Sequence, residues 1–314
     1  AWAISRSSTN EKVNYIVNVK IGDRLGLGEV APNLRYGETA EKIQGDFEKF
    51  CTSYNEEKLS LEEFSTFLDK CQIAHALQFG LESAYLHALL KNKKVHEYFQ
   101  LKGVEKVSTS FSIPIMEKGK LKSFLDKYKR FQSLKIKVNS ESAFETISTI
   151  YSLSSTSLRI DGNEAWNDYD EFVKFMNKCS KFPIEFFEQP FPADRVDEYK
   201  ELKKKSKVPI FADESITYQA DFNLLKEQFH GVNVKLMKAG GYINAISQLK
   251  QAREQGLKTM LGCMIETSLG IFSALNLSSL ADYIDLDGFL HLSQEPFALV
   301  CEKDGELFFN EKKS

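Results

Sequence analysis

The order of apolar and polar side chains divides the chain into two textures. Near the start, Val13–Lys20 (VNYIVNVK) alternates with the period of a strand, Ile21–Arg24 reads as a turn around Gly22-Asp23, and Leu25–Val30 reads as a returning strand. Helical spacing follows over about 38–52, 60–70 and 71–91. The last of these places Ala74, Leu77, Leu81, Ala84, Tyr85 and Ala88 on one face as a core stripe. This first stretch predicts an α+β unit. From about residue 107 short apolar runs alternate with amphipathic segments. Strands are expected at Ser108–Ile113, Leu134–Val138, Ser157–Asp161, Ile184–Glu188, Pro209–Asp213, Val232–Leu236, Lys258–Gly262 and Asp282–Asp285. Helix-spaced stretches containing, for example, Phe172, Phe175 and Met176, or Leu224 and Leu225, lie between them. Eight strands with helical connections predict parallel βα units, and eight is the number that closes a barrel; an open doubly wound sheet is the alternative.

In parallel βα folds the reactive groups sit at the carboxyl ends of strands. Five consecutive predicted strands end at or near an ionisable residue: Lys137, Asp161, Glu188, Asp213 and Lys235. Their intervals of roughly 25 residues match one βα unit, so the five side chains are expected to ring one mouth of a barrel. Each acid alone reads equally as a helix cap or turn residue, as in Asp161-Gly162-Asn163 and Asp213-Glu214-Ser215. Three in register are different. Clustering three unpaired carboxylates costs several kcal/mol, and a hard divalent cation such as Mg²⁺ removes that objection because it takes oxygen ligands. Asp161, Glu188 and Asp213 are thus a candidate metal site.

Lys135 and Lys137 share one strand face by period-two alternation, and Lys235 lies on the far side of the acids in strand order. By contrast, Lys203–Lys205 reads as a solvated helix face. Like charges near a lysine are expected to lower its pKa towards that of a useful base. Two lysines flanking a metal suggest one reaction class. A carboxylate substrate binds the metal, one lysine removes the α-proton, the metal stabilises the enediolate, and the other lysine returns a proton to the opposite face.

Composition narrows the alternatives. The chain has 314 residues, 42% hydrophobic and 27% charged, with a formal net charge of −3 and a pI near 6.1. These values suit a globular protein and lack the basic excess of a phosphate-backbone binder, so no nucleic-acid partner is expected. No run approaches the ~20 apolar residues of a membrane span, and the start shows neither a signal-peptide pattern nor an initiator Met. Cys51, Cys71, Cys179, Cys263 and Cys301 are scattered without a C-x-x-C, and read as buried thiols of a reducing compartment.

The motifs KIK (Lys135–Lys137), IDGN (Ile160–Asn163), FFEQP (Phe186–Pro190), ADES (Ala212–Ser215) and NVKLMKAGG (Asn233–Gly241) together resemble the muconate lactonizing subgroup of the enolase superfamily over nearly the whole chain. The resemblance implies a modified TIM barrel of the (β/α)7β type. An α+β capping domain would span residues 1–106, with the family's first strand absent, the barrel 107–287, and a segment returning to the cap 288–314. It further implies Mg²⁺ on Asp161, Glu188 and Asp213, acid–base roles for Lys137 and Lys235, and electrostatic help from Lys135. Lys238 is expected to point elsewhere and to support the site at most.

Within the subgroup, Asp285-Leu286-Asp287 resembles the D-x-D feature of dipeptide epimerases, suited to grip a free α-ammonium. KLMKAGG and Met264-Ile265-Glu266-Thr267 resemble the same enzymes. Arg6 resembles the arginine that binds the acidic side chain in L-Ala-D/L-Glu epimerases, with Ser110 assisting. The implied substrate is a dipeptide, in a cytoplasmic, homo-oligomeric enzyme of cell-wall peptide metabolism. The alternatives are an o-succinylbenzoate synthase or muconate cycloisomerase activity on the same scaffold, and a non-catalytic binder of small acidic ligands.

Overall fold

The computed structural model describes residues 2–4, 7–9, 11–55, 58–90 and 94–311. Arg6 lies outside them. Two short strands, β1 (Trp2–Ile4) and β2 (Ser7–Thr9), pair antiparallel. They precede the hairpin of β3 (Tyr15–Ile21) and β4 (Arg24–Val30), which turns at Gly22 with φ of 63°. Three helices follow: α1 (Ala40–Ser53), α2 (Leu61–Cys71) and α3 (His75–Leu89). Thr39 caps the first, and Ser60 with Glu63 forms a reciprocal capping box on the second. The stripe expected on α3 understates its burial. Gln78, Glu82 and Ser83 are buried as well, because β3 and β4 cover one side of this helix while α2 and the barrel cover the others.

The contact between β4 and α3 depends on missing side chains. A Cβ at Gly26 would lie 2.0 Å from Ala84 O, and one at Gly28 would lie 1.9 Å from Gly80 O. The hairpin therefore rests flush on the helix backbone.

After α4 (Val95–Tyr98), the run expected as one strand over Ser108–Ile113 divides in two: β5 (Lys106–Ser108) and β6 (Phe111–Ile113). The chain changes partners in between, Thr109 N donating to Gly305 O and Ser110 N to Ile284 O. Parallel strands and helices then alternate through α5 (Lys118–Tyr128), β7 (Ser133–Lys137), α6 (Ala143–Leu153), β8 (Ser157–Asp161), α7 (Tyr169–Lys178) and β9 (Ile184–Glu188). They continue through α8 (Val196–Lys205), β10 (Ile210–Ala212), α9 (Phe222–Gln228), β11 (Gly231–Lys235), α10 (Leu236–Ala239) and α11 (Tyr242–Glu254). The last units are β12 (Lys258–Gly262), α12 (Ser268–Leu275) and β13 (Tyr283–Asp285).

Strands β6 to β13 form one eight-stranded sheet in sequential order. The bond from Ser110 N to Ile284 O, at 3.2 Å, draws its two ends together. This is the barrel and not the open sheet. Finally β14 (Val300–Lys303) and β15 (Glu306–Phe309) add to β5, with β15 in the middle.

The barrel interior is layered. Phe186, Phe211, Met260 and Tyr283 fill its lower part, with the Arg159 guanidinium stacked 5.2 Å from the Tyr283 ring centroid. Gly231 leaves the space that the Phe211 ring occupies. The lysine–carboxylate cluster lies at the strand ends beyond this layer. All five cysteines are free thiols; Cys51 departs from the expectation of burial and is exposed on the outer face of α1. No described helix is long and apolar enough to cross a membrane.

Two glycine substitutions separate packing from propensity. Gly28→Ala forces a methyl into the α3 backbone and is expected to cost about 1–3 kcal/mol. Gly45→Ala, in the exposed middle of α1 with nothing within 4 Å, is expected to add about 0.5–1 kcal/mol. Denaturant unfolding of the two variants checks both signs.

Candidate active site

The predicted strand ends converge. Lys137 pairs in register with Asp161, and Asp161 with Glu188, across β7, β8 and β9. The next strands bring Asp213 and Lys235. Candidate ligand oxygens of Asp161, Glu188 and Asp213 all lie within 4.8 Å of one another, in three buried side chains. The lysines enclose them. Lys137 Nζ donates to Asp161 Oδ2 at 2.5 Å, and Lys235 Nζ donates to Asp213 Oδ2 at 2.7 Å. Lys135 Nζ lies 3.0 Å from Asp161 Oδ2, 2.9 Å from Glu188 Oε2 and 2.8 Å from Asp285 Oδ2.

These contacts reverse one expectation. Burial alone would lower Lys135, yet Asp161, Asp285 and Glu188 together hold it well above the usual lysine range. Burial likewise opposes the charge on Lys235, and Asp213 overcomes it, so this lysine too is raised. At Lys235 the like charge of Lys135 is present but is outweighed by the nearby carboxylates. Burial would raise Asp213, but Lys235 and Lys238 hold it well below its ordinary value. Glu188 goes the other way and is pushed up to about 7 by burial and by Asp161.

Residues that the sequence reading passed over hold the acids in place. Asn233 Nδ2 donates to Glu188 Oε1 at 2.8 Å, and a Cβ at Gly262 would lie 2.3 Å from Asn233 Oδ1. Gln189 has φ of 37°, a strained value for a side-chain-bearing residue. Its Oε1 accepts from Asp213 N and Ser215 N, and its Nε2 donates to Tyr199 Oη and Ser215 Oγ. One side chain thus ties the end of β9 to the end of β10. Arg159 donates to Ser110 Oγ, Ile284 O and Glu185. Asn233 and Arg159 lie two residues before Lys235 and Asp161, so alternation along each strand was a signal that could have found them.

The remaining expected residues fall as follows. Lys238 is not directed away: its Nζ donates to Asp213 Oδ1 at 2.5 Å and to Asp213 O at 2.6 Å. A short helix starting at Leu236 folds the chain back and brings this lysine onto the same acid as Lys235. Asp285 accepts from Lys135 and from Ser110 Oγ, the latter at 2.5 Å. Burial would raise this acid, but Lys135 and the Ser110 bond lower it to about 2. Asp287 accepts from Ser112 N at 2.5 Å and lies 2.9 Å from His291 Nε2. Both acids are buried and face β6. Ser110 is itself fully buried beneath Asp285.

The cluster fits a divalent cation. It supplies three converging carboxylates, and Glu188 Oε2 is buried without a hydrogen-bond donor although Lys135 stands beside it off the bonding direction.

Residues 120–298 match the family model described as enolase C-terminal domain-like. An L-Ala-D/L-amino acid epimerase of Pedosphaera parvula is 33% identical, with 98% of this chain and 92% of that protein covered. A hydrophobic dipeptide epimerase of Roseobacter litoralis is 31% identical, covering 93% and 88%. Among solved structures, the dipeptide epimerase of Methylococcus capsulatus complexed with Mg and L-Arg-D-Lys superposes with a TM-score of 0.89 at 26% identity, covering 99% of this chain and 94% of that one. The chain belongs to the enolase superfamily and is dipeptide epimerase-like within it.

Adding a divalent cation to protein stripped with EDTA is expected to raise the thermal unfolding midpoint. A hundred-fold excess over Kd corresponds to about 2.7 kcal/mol. Glu188→Gln is expected to abolish the response, which differential scanning calorimetry reads directly.

Proposed function

We propose that this member of the enolase superfamily is a Mg²⁺-dependent dipeptide epimerase that inverts the α-carbon of the C-terminal residue by 1,1-proton transfer. The observation that carries the reading is the placement of Lys137 and Lys235. Their strands, β7 and β11, stand four places apart in a ring of eight, and each lysine contacts a different acid of the triad. A planar reacting centre between them would meet one amine on each face.

Asp161, Glu188 and Asp213 would hold the ion. When bound, Mg²⁺ supplies positive charge that offsets the charge growing on the substrate carboxylate as its Cα–H bond breaks. Lys137 and Lys235 now donate to Asp161 and Asp213, and would be released from these contacts once the two acids are engaged elsewhere. Either can then accept the α-proton while the other donates to the opposite face. Lys135 stays paired with Asp285 and keeps a fixed positive charge beside the triad. Asp285 and Asp287 would receive the dipeptide α-ammonium, with Ser110 orienting Asp285. Arg6 would meet an acidic side chain at the second residue, giving an L-Ala-D/L-Glu-like preference. A cytoplasmic homo-oligomer acting in cell-wall peptide metabolism completes the reading.

The two-lysine arrangement makes an unusual demand on single variants. In D₂O, the wild type is expected to epimerise L-Ala-L-Glu and exchange its α-hydrogen. Lys137→Ala should lose inversion by about 10²–10⁴-fold yet still exchange the α-hydrogen of one diastereomer, and Lys235→Ala should exchange that of the other. Proton NMR of both diastereomers distinguishes these outcomes; full-rate inversion by either variant would sink the proposal. Turnover confined to carboxylate substrates without an ammonium would favour the synthase or cycloisomerase alternative.

A further inference from the structure

The N-terminus of α12 receives carboxylates from two other parts of the chain. Glu29, at the end of β4 and 1% exposed, accepts from Thr267 N at 2.9 Å, Gly270 N at 2.9 Å and Thr267 Oγ1 at 2.6 Å. Glu295, in the segment after the barrel, accepts from Ser268 N at 2.7 Å and from Ser268 Oγ at 2.9 Å. The first turn of a helix carries unsatisfied N–H groups and partial positive charge, so both carboxylates are well placed.

Glu29 differs from Glu295 in what it joins. The residues just before α12, Cys263 to Glu266, lead from the end of β12 at the mouth. Cys263 Sγ donates to Asp285 O at 3.3 Å, so one end of this loop rests on the strand end that carries the D-x-D acids. Asn14, just before β3, donates from Nδ2 both to Glu29 Oε1 and to Ile265 O, each at 2.9 Å. Asn33 Nδ2 stands 3.7 Å from Met264 Sδ. Glu266 sits against the same junction: the Cβ position of Gly270 is 2.2 Å from Glu266 Oε2 and 3.1 Å from Glu29 Oε2. Gly270 thus provides the room in which the two carboxyl groups lie side by side. A second N-terminal carboxylate, Glu82 of α3, meets Ile243 N of α11 at 3.2 Å but does not reach the mouth loop.

We propose that Glu29 is a positioning residue that, with Asn14, fixes the Cys263–Glu266 loop against the N-terminal unit and so sets the substrate-binding edge of the mouth beside Asp285. The inference rests on the dipeptide reading of that site. Substrate affinity should depend on the junction more than the proton-transfer step does, because Lys137 and Lys235 are anchored on other strands.

Three variants test it: Glu29→Gln, which removes the charge at the helix terminus; Asn14→Ala, which cuts the branch to Ile265 and leaves Glu29 on α12; and Gly26→Ala, which disturbs β4 against α3 away from the junction. Glu29→Gln and Asn14→Ala are expected to raise KM for L-Ala-L-Glu about ten-fold while kcat changes less than about three-fold. Gly26→Ala is expected to lower the melting midpoint with KM unchanged. Unchanged KM in Glu29→Gln and Asn14→Ala, or an equal rise in Gly26→Ala, overturns the proposal. Hydrogen exchange over residues 263–270 provides a readout independent of turnover. Faster exchange there in Glu29→Gln and Asn14→Ala, but not in Gly26→Ala, supports the junction, and unaltered exchange refutes it. A wild type that turns over no dipeptide defeats the activity reading instead, and leaves the exchange result to decide on the junction.

Discussion

Removing a carboxylate or an ammonium from water costs several kcal/mol per ion, and the cost is recovered only where partners and hydrogen bonds are close and well directed. The mouth of this barrel does so for Asp161, Glu188, Asp213 and Asp285 together with Lys135, Lys137, Lys235 and Lys238. Four lysines thus stand against these four acids. A dication held by the triad would add positive charge there. The same pairing explains why Lys135 and Lys235 hold their protons tightly here.

Maintaining such a cluster needs a rigid frame, and the frame is neutral. Asn233 and Gln189 meet the acids with amides, and Gly262 leaves space for one of those amides. Below them an apolar layer with one stacked guanidinium closes the barrel interior. The glycines of β4 then bring the β3–β4 hairpin into contact with α3, which packs against the barrel.

Much of this was legible along the chain because the barrel repeats. Each βα unit returns its strand end to the same mouth, so residues about one unit apart in sequence become neighbours in space, and Lys137, Asp161, Glu188, Asp213 and Lys235 could be read as one site. What the sequence hid depends on contacts between units. Gln189 acts through backbone groups of the next strand, and no spacing announces that. Lys238 turns inward because of a single short helix. The run over 108–113 looks like one strand because no Gly, Pro, Asn or Asp interrupts it; only the change of partner at Thr109 and Ser110 divides it. The pKa values of Lys135 and Lys235 run against the expectation for a related reason, since like charges can be counted from the motifs but close lysine–carboxylate contacts cannot.

The three-stranded sheet at the end of the chain bears on how the molecule is made. Its central strand, β15, pairs with β5, about two hundred residues earlier and just ahead of the first barrel strand. A nascent polypeptide emerging from the ribosome cannot complete that pairing until residues 306–309 have been synthesised. Until then β5 presents an unsatisfied edge, and the approach to the barrel has no anchor. Barrel units can assemble locally as they appear, but the strand that leads into the first of them waits for a partner made about two hundred residues later.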